Sequence, residues 1–339
     1  MPDFSVLRVV SRAAQRLLGV SLAIAGVVSA ASAADLKELK FSTEFSPHGF
    51  HAPFYLAKEK GWFKDAGIDL KLLDGRGSAV TVNLVAANQV DIAFVNLTAA
   101  MIAQSKGVPV VVVGSILRRN TNGLIMKKGA DIHKPADLKG KTIVHLMTTI
   151  ESQLLGGYLA TAGMTLDDVK LLGADASAKV PSVLSGKGDA ATGPVPYYQG
   201  LLKGKSEIDT LLFADAGQQL LDFGIVTSPK MIKDQPELVG AFMQVVSRAY
   251  EYTRRDNNVE EAVKDMIAAR PEAGLDYQTS INMFQSHIAF ADSPSTAGKP
   301  IGVISRDDVE ASLKTLKSTG IMQGDLKADD VFDPRFMPK

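Results

Sequence analysis

The sequence predicts an α/β protein of two lobes, each built on a mostly parallel sheet. Three observations predict it. Short apolar runs alternate with helical patterns from residue 39 to about 228, the signature of successive βαβ units. The alternation pauses after residue 113 and restarts near 138. Beyond its first 33 residues the chain runs for about 305 more, above the size at which one core usually serves.

Residues 39–45 read as a strand, and 54–64 as a helix with Phe54, Leu56, Ala57 and Trp62 among its apolar positions. A strand at 69–73 leads to a helix at 78–87, with Ser78 as the expected N-cap. Then come a strand at 91–95, a helix at 99–106 and a β-branched buried strand at 108–113. In the second set, 138–141 leads into a strand at 142–145, and a helix at 151–162 stops at Gly163. A strand at 169–172, a helix at 179–184, a strand at 189–192 and a segment around 210–213 complete that set. After Thr227 the character turns helical, with helices at 237–255, 259–269, 277–287 and 307–318. The Pro, Gly and Ser content of 291–302 marks a long loop.

The first segment bears on the compartment. Arg8, Arg12 and Arg16 stand against Asp3, an apolar run fills 17–28, and 29–34 are small residues. Basic start, short apolar run and A-x-A-like ending are the parts of a secretory signal peptide, so residues 1–33 are expected to be removed near Ala33 or Ala34. The apolar run falls short of the roughly 20 residues that span hydrocarbon. The chain has no cysteine, which excludes disulfides, thiol nucleophiles and Cys-ligated metals, and with them an anchor on a lipidated N-terminal cysteine. The expectation is a soluble, monomeric periplasmic protein. Lys+Arg and Asp+Glu both number 37, so no basic field exists to hold nucleic acid. No Gly-x-Ser-x-Gly elbow, His-Glu-x-x-His helix or phosphate-binding Gly-rich loop is found. No cofactor and no catalytic or metal-ligating set is expected.

In open α/β sheets, ligands bind where strands end and loops enter helices, which selects the residues of interest. Phe45, Pro47, His48 and His51 fill the first such loop; an aromatic and an imidazole there stack on or hydrogen-bond a flat ligand, or one His merely caps the next helix. Gly75-Arg76-Gly77-Ser78 ends a strand and opens a helix. Its amides and Ser78 hydroxyl meet a ligand, or form a tight turn, and Arg76 pairs an anion or stays solvated. Asn96 and Thr98 offer neutral donors and acceptors in the third loop. In the second lobe Thr148 or Thr149 faces the cleft, and Glu151 either accepts from a ligand amine or favours its helix start. Pro194 and Tyr197 follow the last strand of that set, placing a Tyr to close over a ring. His133, His145 and His287 are assigned no ligand role.

Several segments match one known family in order and spacing. They are 51–70 (His-Ala-Pro-Phe-Tyr-Leu-Ala-Lys-Glu-Lys-Gly-Trp-Phe-Lys-Asp-Ala-Gly-Ile-Asp-Leu), Gly75-Arg76-Gly77-Ser78, Asn88-Gln89-Val90-Asp91-Ile92-Ala93, Gly107-Val108-Pro109-Val110, 135–141 and Leu184-Ser185-Gly186-Lys187-Gly188-Asp189-Ala190. Over about 40–227 the chain resembles the solute-binding proteins that serve importers of nitrate, sulfonates, taurine and thiamine pyrimidine precursors. Pro47, His51 and the Gly-Arg-Gly-Ser loop look nearest the pyrimidine-precursor binders. The resemblance implies a type II periplasmic-binding-protein fold whose hinge is crossed twice, near 122–126 and 222–226. Lobe one is then 35–123 plus 225–339, and lobe two 124–224. It also implies a small polar solute, a membrane permease and an ATPase as partners. Two alternatives stand beside that reading. A pyrimidine-phosphate synthase resembles these binders, but that class is expected to carry a Cys-rich iron motif. A periplasmic sensor module has the same fold with another partner surface. Among solutes, Phe45, His51, Ser78, Asn96, Thr149 and Tyr197 suit a flat, largely neutral heterocycle better than nitrate or a simple sulfonate.

Overall fold

The computed structural model describes residues 36–255 and 257–339; the expected signal peptide lies outside the described residues. Among the described residues ten strands follow in chain order: β1 (Lys37–Ser42), β2 (Ile68–Leu73), β3 (Ile92–Asn96), β4 (Val111–Ser115), β5 (Asn122–Lys127), β6 (Thr142–His145), β7 (Lys170–Gly173), β8 (Ala190–Pro194), β9 (Ile208–Leu212) and β10 (Phe223–Thr227). They form two five-stranded sheets, ordered β2-β1-β3-β10-β4 and β7-β6-β8-β5-β9. The two orders are one pattern. In each sheet the second, first and third strands of a set pair in parallel. A strand belonging to the opposite stretch of chain then inserts antiparallel before the fourth: β10 between β3 and β4, and β5 between β8 and β9.

The parallel blocks agree with the sequence reading, and the two antiparallel insertions were not foreseen. β5 and β10 are buried on both faces and carry unbroken apolar runs, and such runs do not announce a strand's direction. The chain passes between the sheets through 116–121 and 217–222, and Gly123 and Gly224 lie inside strands. A Cβ on Gly123 would sit 2.1 Å from the Leu211 carbonyl oxygen, and one on Gly224 would sit 2.3 Å from that of Gly114. Both glycines serve close strand approach rather than backbone rotation.

Helices α1 (Ala52–Glu59), α2 (Trp62–Asp65), α3 (Ser78–Ala86) and α4 (Leu97–Ser105) connect the first sheet. The single helix expected at 54–64 is two, because Gly61 adopts φ +75° and breaks it. The second sheet carries α5 (Ile150–Ala160), α6 (Lys179–Leu184) and α7 (Val195–Leu202). The C-terminal part adds α8 (Pro229–Asp234), α9 (Pro236–Arg255), α10 (Val259–Ala269), α11 (Tyr277–Ile288), α12 (Arg306–Ser318) and α13 (Ala328–Val331).

One face of the first sheet packs on α1, α9 and α10. Phe41 meets Phe54 and Phe242 with ring centroids 4.7 and 5.1 Å apart. Helix α9 buries Leu238, Val239, Phe242, Val246, Ala249 and Tyr250, the three-to-four spacing of an amphipathic helix. The other face, through Val82, Val95, Leu97 and Met101, joins α12 and runs on to Leu124 of the second sheet and to Leu154 and Tyr158 of the helix over Ile150–Ala160. Ile125, Val144, Val180, Val183 and Ala191 make a smaller core on the second sheet's far side. Each such fully buried aliphatic side chain contributes about 1.5–3 kcal/mol.

Candidate functional site

The parallel strands of both sheets end at one cavity of about 640 Å³. Its walls come from the loops after β1, β2, β6, β7 and β8, with Phe94 of β3, Phe223 of β10 and His287 of α11. That is the strand-end position expected for open parallel sheets. The loops are tied across: the Gly77 amide donates to the Glu44 carbonyl at 2.7 Å, and a Cβ on Gly75 would fall 2.1 Å from the Thr43 carbonyl oxygen. Only glycine lets the second loop lie this close under the first.

Of the residues singled out from the sequence, the cavity brings together Phe45, His48, Gly77, Ser78, Thr149, Glu151, Pro194 and Tyr197. Phe45 is 59% exposed at the mouth. The Ser78 hydroxyl accepts from the Asn96 amide at 3.0 Å. The N-cap of α3 is Gly77, at φ +111°, rather than Ser78. Thr149 precedes α5 and donates to the Leu146 carbonyl at 2.9 Å. His48 and Tyr197 meet edge to face across the cavity, 6.1 Å between centroids.

Other singled-out residues lie off its wall. Arg76 and Thr148 are exposed to solvent. Thr98 is buried, with its hydroxyl 3.4 Å from the Leu221 carbonyl. Asn96 caps α4 by accepting from the Ala99 amide, and donates its amide to Asp222. His51 is fully buried beneath His48. In these four loops the strand-end position is right, but each side chain turns to a partner in the chain or to solvent.

The floor is a carboxylate held by two imidazoles. Glu44 accepts from His51 Nε2 at 2.9 and 3.2 Å and from His48 Nε2 at 3.3 Å. Burial pushes the Glu44 carboxyl up, but the field of the adjacent His51 and the hydrogen bonds from both rings outweigh it, holding the group well below the usual carboxylate range. His48 is pushed down by burial and by His51. The ligating atoms of Glu44, His48 and His51 lie within 4.8 Å of one another, close enough to surround a metal ion. The hydrogen bonds argue otherwise. The Nδ1 atoms of His48 and His51 accept from the amides of Phe50 and His48, each at 3.4 Å. The ring protons therefore sit on Nε2, the atoms a metal would need.

Four features escaped the sequence reading. Phe94 and Phe223 stack at 5.3 Å and form an aromatic base with Phe50. His287 stacks on Phe50 at 5.0 Å, donates Nδ1–H to the Met283 carbonyl at 2.7 Å, and is pushed down to about 3 by burial and by His48. Lys179, 2% exposed, pairs with Glu151 at 2.7 Å. Glu44 itself stands one residue before Phe45, so the loop that drew attention to Phe45 and His48 also pointed to it. The others had no local signal.

Comparison with known proteins follows the same lines. The formylaminopyrimidine-binding protein of Halalkalibacterium halodurans is 24% identical over 245 residues, covering 71% of this chain and 73% of that protein. The 4-amino-5-hydroxymethyl-2-methylpyrimidine phosphate synthase THI5 of Saccharomyces cerevisiae is 24% identical over 269 residues, covering 76% and 77%. The periplasmic aliphatic sulphonate binding protein SsuA of Escherichia coli superposes with a TM-score of 0.69 at 15% identity, covering 88% of this chain and 92% of that one. That superposition shows a two-lobed periplasmic-binding-protein fold, as the sheet orders require. The family described as NMT1/THI5 like matches residues 49–258, more than half of the sequence, and with motifs, sheet order and strand-end cavity in agreement the chain belongs to it.

Proposed function

We propose that this chain is the periplasmic solute-binding component of an ATP-driven importer, and that its cavity takes a flat, aminated heteroaromatic solute of the thiamine-pyrimidine-precursor class. The single observation that carries this reading is the lining: aromatic rings from both sheets around about 640 Å³, with no arginine among the described residues of the wall. A volume of roughly 300–1,000 Å³ with few convergent polar groups suits a drug-sized, largely apolar solute. The relative named as a formylaminopyrimidine-binding protein supports the same class. Phe45, His48, Ser78, Thr149, Glu151, Pro194 and Tyr197 are the proposed contacts, joined by Glu44, Phe94 and Phe223. The bodies that close on the solute are 35–123 plus 225–339 and 124–224.

A sulfonate is the second reading, favoured by the fold neighbour SsuA. It fits the wall less well, because Lys179, the one lysine or arginine lining the cavity among the described residues, is already paired with Glu151, and Arg76 is exposed to solvent. Binding rather than catalysis is proposed because the chain has no cysteine to build the iron motif expected of the synthases it resembles. Permease and ATPase as partners, a monomeric state and the periplasm belong to the same proposal.

Calorimetry and thermal shift on the chain from residue 34 onward test it, against aminopyrimidines, aliphatic sulfonates and nitrate. A true solute at 100 times its Kd adds about 2.7 kcal/mol of stability. Arg76→Ala is expected to change aminopyrimidine binding by about 0.5 kcal/mol or less, as for an exposed surface residue. Tight sulfonate binding that is lost in Arg76→Ala, with no response to aminopyrimidines, overturns the reading.

A further inference from the structure

We propose that His287 is the specificity-determining acceptor of the cavity, its Nε2 taking an N–H from the solute's exocyclic amino group; this deepens the heteroaromatic reading above and rests on it. His287 lines the cavity from α11, yet it is only 4% exposed. Its ring lies on Phe50, 5.0 Å between centroids and 20° between planes, with the His48 ring 5.8 Å away. The stack holds the ring plane, and the bond from Nδ1–H to the Met283 carbonyl at 2.7 Å holds its rotation.

The same bond settles the tautomer. A carbonyl oxygen only accepts, so the ring proton is on Nδ1. A second proton on Nε2 would bury a cation with no carboxylate bonded to it, since both Glu44 oxygens already take N–H bonds from His51 and His48. Burial and the neighbouring His48 accordingly push the ring down to about 3. Nε2 is left with a lone pair, and no N–H or O–H among the described residues fills it. The other side-chain acceptors on the first sheet's side of the wall are engaged: His48 Nδ1 takes the Phe50 amide, and Ser78 the Asn96 amide. Across the cavity, Glu151 is neutralised by Lys179 at 2.7 Å.

The exocyclic nitrogen of an aminopyrimidine is planar, with its lone pair drawn into the ring, so the group donates and does not accept. Enclosed in an apolar cavity it needs an acceptor, because a buried donor left unmatched costs affinity. Nε2 of His287 meets that need without carrying charge. The ring nitrogens of the same solute accept, and the hydroxyls of Ser78 and Tyr197 each have a proton to give them. A sulfonate or nitrate has only acceptor oxygens, which meet the Nε2 lone pair with like sign, so the residue that favours the amine also disfavours the anion.

Calorimetry near neutral pH tests the assignment with two solutes, 4-amino-5-hydroxymethyl-2-methylpyrimidine and the same compound without its amino group, on the unaltered chain and on His287→Phe. The phenyl ring keeps the stack on Phe50 and removes the acceptor. Loss of the amino group is expected to weaken binding about tenfold or more in the unaltered chain, and less than about threefold in the variant. Should His287→Phe misfold, nitrogen NMR of the unaltered chain decides: the Nε2 resonance, that of an unprotonated nitrogen, moves upfield with the amino compound, and a resonance that stays in place overturns the proposal. Equal losses in the two proteins overturn the role of His287 and leave the heteroaromatic reading standing. Absence of binding by either pyrimidine overturns both.

Discussion

Helix α7 of the second sheet packs on α11, which itself lies against the first sheet's segment around Phe50, and the point of contact is Gly200. A Cβ added there would stand 2.5 Å from Met283 Cα, 2.7 Å from its amide nitrogen and 2.9 Å from its Cγ. The first two are backbone atoms and cannot swing aside. Gly200→Ala therefore acts with opposite signs on two quantities. Within α7, alanine stabilises the helix by about 0.8–1 kcal/mol relative to glycine. In the closed arrangement the added methyl overpacks the α7–α11 contact, at a cost of about 1–3 kcal/mol. On the proposal that the lobes part without solute, the second term enters only on closure. At about 1.4 kcal/mol per tenfold, affinity then falls about 5- to 150-fold. Calorimetry of solute binding and urea unfolding of the solute-free chain separate the two. The expected outcome is weakened binding with unchanged or raised solute-free stability. Unchanged affinity would mean that α7 and α11 need not meet to hold solute. An equal loss of solute-free stability would make their contact a permanent interface, and the closure reasoning would fall.

Lys179→Met should strand the Glu151 carboxylate in a site where it is 7% exposed, costing about 3–5 kcal/mol, with most of that recovered in the double variant Glu151→Gln/Lys179→Met; urea midpoints read both. Asp222, raised by burial to about 7 from its ordinary 3.8, contributes stability that is full below 3.8 and is lost as pH rises toward 7. His287, lowered by burial to about 3 from 6.5, does the reverse: its contribution is full above 6.5 and is lost as pH falls toward 3. Stability differences between the unaltered chain and Asp222→Asn or His287→Gln should therefore slope in opposite directions between about pH 4 and 6.5, each by at most about 1.4 kcal/mol per pH unit. Parallel slopes would refute the assignment.

The βα alternation was legible because side-chain periodicity is local. Every strand expected from residue 39 to 213 is present, most within two residues of the expected bounds, although β4 and β9 pair antiparallel with the inserted strands, and α10 spans Val259–Ala269 as read. The same locality explains the errors. β5 and β10 were read only as the hinge crossings that the resemblance implies, not as strands, because which sheet such a stretch joins, and in which direction, depends on which sheet the chain has just left. Gly61 broke one helix into two because a left-handed residue ends a turn that the apolar pattern continues through.

The site divides along the same line. That strand-to-helix loops build it was legible in the sequence, since such a loop is a local feature; that Phe45, His48, Ser78, Thr149, Glu151 and Tyr197 line it while His51, Asn96 and Arg76 do not was not. That Asn96 turns to Asp222, 126 residues away, and that Lys179 silences Glu151, 28 residues away, was decided by tertiary structure. So was the arrival of Phe223 and His287 at the cavity. Local patterns fix where a side chain leaves the backbone; which charge remains unneutralised depends on every group packed within a few ångströms, and the fold alone brings those groups together.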